Sequence, residues 1–288
     1  MKLILSRKGF DATTGGGASP ILPDGRMVSI PIPGAPERDS IPYSELQLDG
    51  GSYLDLLRAL GYRGFEQRRA HLDPDVVPSV RPRRDGWRGL AGQVGAAAAH
   101  LERQGVASGD LFLFFGRFQP VDAVPGSSYR WRGGESSVHA LWGYLQVERV
   151  LDAGAGETVS WAPRFPHFAP RYRGRLCRVY VARERLSFAP ALPGWGVFRW
   201  REELRLTARG RRRLTDWELP VGFAPETGLE LTYHRSPQRW KDATSGRVAL
   251  RAVSRGQEFV CEASADVRAW ATALVETTRT WAPASGTR

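Results

Sequence analysis

Apolar residues fall in short blocks punctuated by Gly, Pro, Ser and Asp, a pattern that predicts strands interspersed with a few helices. The first block, Leu3-Ile4-Leu5, has the length of a buried strand and runs into Ser6, Arg7, Lys8, Gly9, Phe10 and Asp11. Six prolines between residues 20 and 42 exclude a helix there, and Asp24-Gly25 predicts a hairpin joining residues 21–22 to 27–32. Leu54, Leu57 and Leu60 share one face of a helix over residues 52–60, with Ser52 as its cap. A second helix is expected over residues 90–103, stopped by Gly105. The continuous apolar run 111–115 predicts a central strand, and 138–150 a long one with His139, Leu141, Gly143, Leu145 and Val147 on one face. Residues 120–137 and 161–175 read as loops, and 176–181 and 195–200 as strands. Residues 247–254 and 258–261 predict a hairpin turning at 255–257, followed by a helix over 263–278 and a frayed tail at 282–288. No repeat or linker interrupts this order. The expectation is one α+β domain spanning 1–288, with a mixed or mostly antiparallel sheet, flanking helices and long Pro/Arg-rich loops.

Composition narrows the class. Hydrophobic residues make up 42% of the chain and ten are tryptophan, which excludes a disordered protein. No apolar run approaches the length of a membrane span and the N-terminus lacks a signal-peptide pattern, so a cytoplasmic protein without membrane partners is expected. Cys177 and Cys261 have no metal-ligand spacing and read as buried thiols. The net charge of +11 is carried almost wholly by arginine, which suits a polyanionic partner. The same bias would also follow from a GC-rich genome.

Candidate chemistry is spread along the chain. The first strand ends in Arg7, Lys8 and Asp11, and Gly15-Gly16-Gly17 follows, close to Asp24; such a loop lets backbone approach a phosphate. His71-Leu72-Asp73-Pro74-Asp75 brings three titratable groups into one stiff turn, suited to acid-base work or, equally, to capping an element. Two carboxylates and an imidazole would suit a divalent cation, but no third carboxylate lies nearby, so metal is the less favoured cofactor and no metal ligand is assigned. Gln93 and His100, two turns apart on the expected helix, are candidate ligand contacts. Arg117 and Tyr129-Arg130-Trp131-Arg132, with Arg171 and Arg173 downstream, interleave cations and aromatics as nucleic-acid-binding loops do. Five arginines in residues 205–213 add a candidate phosphate patch.

The segments SRKGFD, the glycine cluster, SPILPDGRM, SIPIP, HLDPD, GQVGAAAAHL, GDLFLFFGRF, HALWGYLQVERV and GQEFV together resemble the third nucleotide modification associated domain family. Its members are bacterial and phage proteins linked to enzymes that modify DNA bases. The resemblance covers nearly the whole chain and implies a role around base modification, without a known reaction. It favours an enzyme acting on nucleic acid, DNA above all, that takes a group from a nucleotide donor and works beside partner modification or restriction proteins. Asp11, His71, Asp73, Asp75, His139 and Glu258 are its candidate catalytic residues. Arg7, Lys8, Gly15, Gly16, Gly17, Asp24, Gln93, His100 and Gln146 are its candidate ligand contacts. Arg7 on the first strand and Glu258 on a late one would also suit ADP-ribosyl transfer, for which Gln146-Val147-Glu148 is the only Q-x-E or E-x-E match. The alternative is a reader of modified bases without catalysis, because GDLFLFFGRF with LWGYLQVERV also resembles the strand pair of PUA-like domains.

Overall fold

The computed structural model describes residues 1–11, 14–34, 40–126, 128–211, 213–244, 246–254 and 258–278. The first apolar block forms β1 (Lys2–Arg7), with Leu3, Ile4, Leu5 and Ser6 fully buried. Proline keeps the next strands short: β2 (Ser19–Ile21), β3 (Ile32–Gly34) and β4 (Ile41–Pro42); β5 (Gln47–Leu48) and β6 (Gly51–Ser52) form a two-pair ladder around the Asp49-Gly50 turn. The Asp24-Gly25 turn forms, since Ile21 bridges Met27 and Leu22 N–H donates to the Arg26 carbonyl. The pairing stops there, and β3 pairs instead with β7 (Arg69–His71). Helix α1 (Tyr53–Ala59) has the expected Ser52 cap, completed by Asp55 as a reciprocal capping box.

The expected second helix is half strand. Residues Leu90–Val94 form β8, fully extended beside a neighbour, and only Gly95–Arg103 form α2. Gly95 has φ +55°, the left-handed conformation in which the chain changes direction between the two. Gln93 and His100 therefore belong to different elements and do not share a helix face. Next come β9 (Leu111–Val124), β10 (Ser128–Trp131) and β11 (Val138–Asp152); the expected loop at 120–137 is largely the continuation of β9 and its pairing with β10. Strands β12 (Cys177–Ala182) and β13 (Trp195–Val197) follow.

The three strands β14 (Asp216–Pro220), β15 (Trp240–Thr244) and β16 (Arg247–Arg251) make a separate sheet in the order β14-β16-β15. The expected hairpin between residues 247–254 and 258–261 is thus not formed: β17 (Glu258–Glu262) leaves that sheet and pairs with β1. The turn assigned to 255–257 and the tail at 282–288 lie outside the described residues. Helix α3 (Ala265–Thr278) buries Val267, Leu274 and Val275, with Trp270 partly covered.

The fold is α+β, built on a nine-stranded mixed sheet with the path β17-β1-β9-β11-β12-β8; β2 and β10 add to β9, and β13 to β11. Strand β1 runs parallel to β9 and antiparallel to β17, so the N-terminal strand sits between the middle of the chain and its last strand. Register divides the sheet into two faces. Ser6 stands opposite Phe114 and Glu258 on one; Leu5 and Arg7, opposite Leu113 and Phe115, stand with Phe259 on the other. A bulge between Leu141 and Gly143 switches the side chains of β11 from one face to the other, so the expected common face of His139 to Val147 is broken. No described helix is long and apolar enough to cross a membrane.

Candidate functional site

On the Ser6–Glu258 face, five elements converge on buried polar groups. Lys8 leaves the end of β1, where its N–H donates to the Phe115 carbonyl and its own carbonyl lies against Gly116. Its ammonium sits 2.6 Å from Asp73 Oδ2 and also donates to the Gly92 carbonyl at 2.9 Å. Asp73 follows β7 in a tight turn, its N–H donating to the His71 carbonyl; Asp75 then bridges Leu90 at the start of β8. That docking lets the Gly92 N–H donate to Asp73 Oδ1 at 2.7 Å. Next to it lies His167, carried by the short turn Pro166–Phe168, with Nε2 at 3.3 Å from Asp73 Oδ2 and 3.2 Å from Nε2 of His71. Gly92 admits that ring, since a Cβ there would overlap it. Tyr172 stacks on the other side of His167, and Cys177 Sγ lies 3.6 Å from its Nδ1.

The second half of the cluster is Gln93, which donates from Nε2 to Glu258 Oε1, with Ser6 across the strand pair from Glu258. Burial pushes the Glu258 carboxyl up to about 8, against the pull of Lys8 and the Ser6 hydroxyl. Burial would also raise Asp73, but the Lys8 ammonium, and after it His167, hold that carboxyl well below the usual range. Burial, reinforced by His167, takes His71 down to about 3. Burial pushes the Cys177 thiol up to about 12, so it is no ready nucleophile. At neutral pH the face therefore holds an ionised Asp73, a neutral His71 and a largely protonated Glu258. Asp73, His167, Gln93 and Glu258 are buried; His71 is mostly buried but keeps some exposure, and Arg171 lies within electrostatic reach of it, which marks the mouth.

Of the residues singled out in the sequence, Lys8, His71, Asp73, Gln93 and Glu258 meet here. The others do not join them. Arg7 and Asp11 form an ion pair at 3.6 Å on the opposite face, with the Arg7 guanidinium over Phe115. His139 is on that same face, accepting at Nδ1 from the Trp217 indole at 3.1 Å, and burial takes it down to about 3. Both rings are core packing. Asp75 is a structural anion, gripped by both terminal nitrogens of Arg83 at 2.6 and 2.7 Å. Asp24 pairs with Arg26 at an exposed turn. Gln146 is consumed by the Gly109 carbonyl and Ser187, and His100 faces Thr232 Oγ1 and Tyr233.

Two of the three glycines in the loop have a packing reason. A Cβ at Gly15 would overlap Phe10 and one at Gly17 would overlap Tyr62, while Gly16 is open; the Asp11 carboxylate accepts from Thr14 N–H and closes the turn. The basic aromatic strand is also resolved by alternation. Tyr129 and Trp131 turn inward, with the Trp131 indole donating to the Leu60 carbonyl, while Arg130 and Arg132 are exposed and Arg132 pairs with Asp122. Arg117 donates to Ser137, Arg171 lies over Tyr172 beside the mouth, and exposed Arg173 lies against Gly156. In the 205–213 patch, Arg205 and Arg209 both pair with Glu202.

Nothing in the sequence singles out His167 or Tyr172, and Cys177 reads there only as the buried thiol that it is. His167 is 94 residues from Asp73, and its only local signal is an imidazole framed by Pro166 and Phe168 in a loop too apolar to be mere surface. A family profile described as nucleotide modification associated domain 3 matches residues 2–262 and so includes every member of the cluster. No curated protein and no solved structure matches the chain.

Proposed function

Given that the chain belongs to the nucleotide modification associated domain 3 family, we infer that it is an enzyme that modifies a base in DNA, with the Lys8–Asp73–His167–His71 cluster as its catalytic centre. The observation that carries this reading is the burial of a lysine, an aspartate, a histidine and a glutamic acid on one sheet face, with His71 leading out to solvent. Ionisable groups are costly to bury, and a core needs none of them. In this centre Lys8 and the Gly92 N–H keep Asp73 ionised and fixed; Asp73 orients His167; His71, neutral at working pH, exchanges protons with substrate at the mouth. Glu258 supplies a protonated carboxyl beneath them, held by Gln93. Arg171, stacked on Tyr172, is the cation assigned to a phosphate of the substrate or of a nucleotide donor.

A reader of modified bases would use an open aromatic cage and would not need the proton-transfer groups. The aromatic candidates for such a cage, Tyr129 and Trp131, pack against α1 instead. The test is expression of the chain with its neighbouring partner genes, followed by nuclease digestion of DNA and nucleoside mass spectrometry. A non-standard nucleoside should be made by the wild type and lost in His71→Gln. An unchanged nucleoside in that variant would remove the cluster from the reaction.

A further inference from the structure

We propose that His71, Asp73 and His167 bind one divalent first-row transition-metal ion. This deepens the reading above and rests on it for what the ion would be used for, but not for the binding itself. One ligand atom from each residue lies within 4.8 Å of the other two. Nε2 of His71 and Nε2 of His167 face one another at 3.2 Å, and Nε2 of His167 is 3.3 Å from Asp73 Oδ2. Protons alone serve this arrangement poorly. A single N–H on His167 Nε2 would have to be divided between an imidazole nitrogen and a carboxylate, both at long range. Ligand atoms held about 2.1 Å from one ion at angles of roughly 90–110° stand roughly 3.0–3.4 Å apart, which is the spacing found.

The atoms behind the ligands fit the same assignment. His167 turns Nδ1 towards Cys177 Sγ at 3.6 Å and is clamped between Tyr172 and the bare backbone of Gly92. Asp73 spends Oδ1 on the Gly92 N–H and presents Oδ2. Such contacts fix which nitrogen or oxygen faces a metal. Two imidazoles and one carboxylate suit zinc, iron, cobalt or nickel better than magnesium or calcium. They leave coordination positions free on the partly exposed His71 side. Lys8 competes for Asp73 Oδ2 at 2.6 Å, so removing its charge should tighten binding.

The experiment uses the full chain, stripped with chelator and titrated with Co²⁺ and Zn²⁺ under equilibrium dialysis. One equivalent should be retained, and the Co²⁺ form should show visible ligand-field bands without a thiolate charge-transfer band, because Cys177 stands behind His167. His167→Gln and Asp73→Asn should each weaken binding at least ~10-fold, Lys8→Met should strengthen it, and Cys177→Ser should leave it unchanged. Where a variant fails to fold, pulsed electron paramagnetic resonance of the wild-type Cu²⁺ complex decides, by showing two coordinated imidazoles. No retained ion, fewer than two imidazoles, or undiminished binding by folded His167→Gln would overturn the proposal. An ion bound at this site without any modified nucleoside would leave this proposal standing and sink the function reading; a modified nucleoside made by wild-type chain that retains no ion on titration would do the reverse.

Discussion

Asp73 and Asp75 stand two residues apart in one proline-stiffened turn, yet their surroundings give them different tasks. Asp75 is 1% exposed and gripped by Arg83, whose guanidinium also stacks on Trp87 at 3.9 Å. Asp75→Asn leaves that guanidinium half-buried without its counter-ion and should cost about 3 kcal/mol of stability, read by urea denaturation, while folded protein keeps its modification activity. Asp73→Asn breaks the equally buried pair with Lys8 and should destabilise by a similar amount, but activity normalised to folded protein should vanish. Equal activity losses in the two variants would show that the turn matters only as structure. Gly92 offers a separate probe, because a methyl group there must push the His167 ring away. Gly92→Ala should lose most activity for only about 1–3 kcal/mol of stability, the usual cost of overpacking.

Elements were legible where one local rule governed them. Ser52 with Asp55 announces a helix start, and the run from Leu111 to Phe115 announces a buried strand, because capping and burial act over a few residues. Three other features hide from that scale. Leu90–Val94 was read into a helix because an alanine-rich run follows it, and only pairing with β12 extends it. The bulge at Leu141–Gly143 reverses a clean alternation, and with it the face on which His139 lies relative to Leu145. The turn that carries His167 has no period at all. The site was half legible for the same reason: HLDPD is a visible motif, whereas its partners reach it only through the sheet. Strand β10 gives a test at this scale. Trp131→Ala should cost about 3 kcal/mol through lost packing and leave DNA affinity nearly intact. Arg130→Ala should do the opposite, lowering the log-log salt slope of DNA binding by about 1. An affinity loss larger in Trp131→Ala than in Arg130→Ala would show that the ring stacks on bases.

Across the whole molecule, buried titratable groups set a pH profile. His71, His139 and His234, taken by burial to about 3, about 3 and about 4, stay neutral in the fold while the unfolded chain protonates near 6.5. Below 6.5 the unfolded state therefore binds more protons, and stability falls as pH falls, by about 1.4 kcal/mol per unit for each group. Glu258 acts in the other direction. From its ordinary 4.5 up to about 8 the native state keeps a proton that the unfolded chain has released, so stability falls as pH rises. Between 4.5 and 6.5 the three histidines outweigh the one carboxyl, which places the maximum just above 6.5. Denaturation from pH 4 to 9 should show that maximum, and Glu258→Gln should remove the decline on its alkaline side; a decline that persists would assign it to other groups.

The position of β1 between β9 and β17 has a consequence for synthesis on the ribosome. Lys2 to Arg7 are made first, but their parallel neighbour follows more than a hundred residues later, and the strand that covers their other edge is the last of the sheet. Contacts this distant in sequence close slowly, and an unpaired apolar strand is open to association while it waits. Lys8, Asp73, Gln93, His167 and Glu258 are likewise drawn from the whole length of the chain. A nascent chain paused before Glu258 thus carries a sheet with a bare edge and a cluster without its buried acid, and the cluster is complete only when β17 has left the exit tunnel and docked.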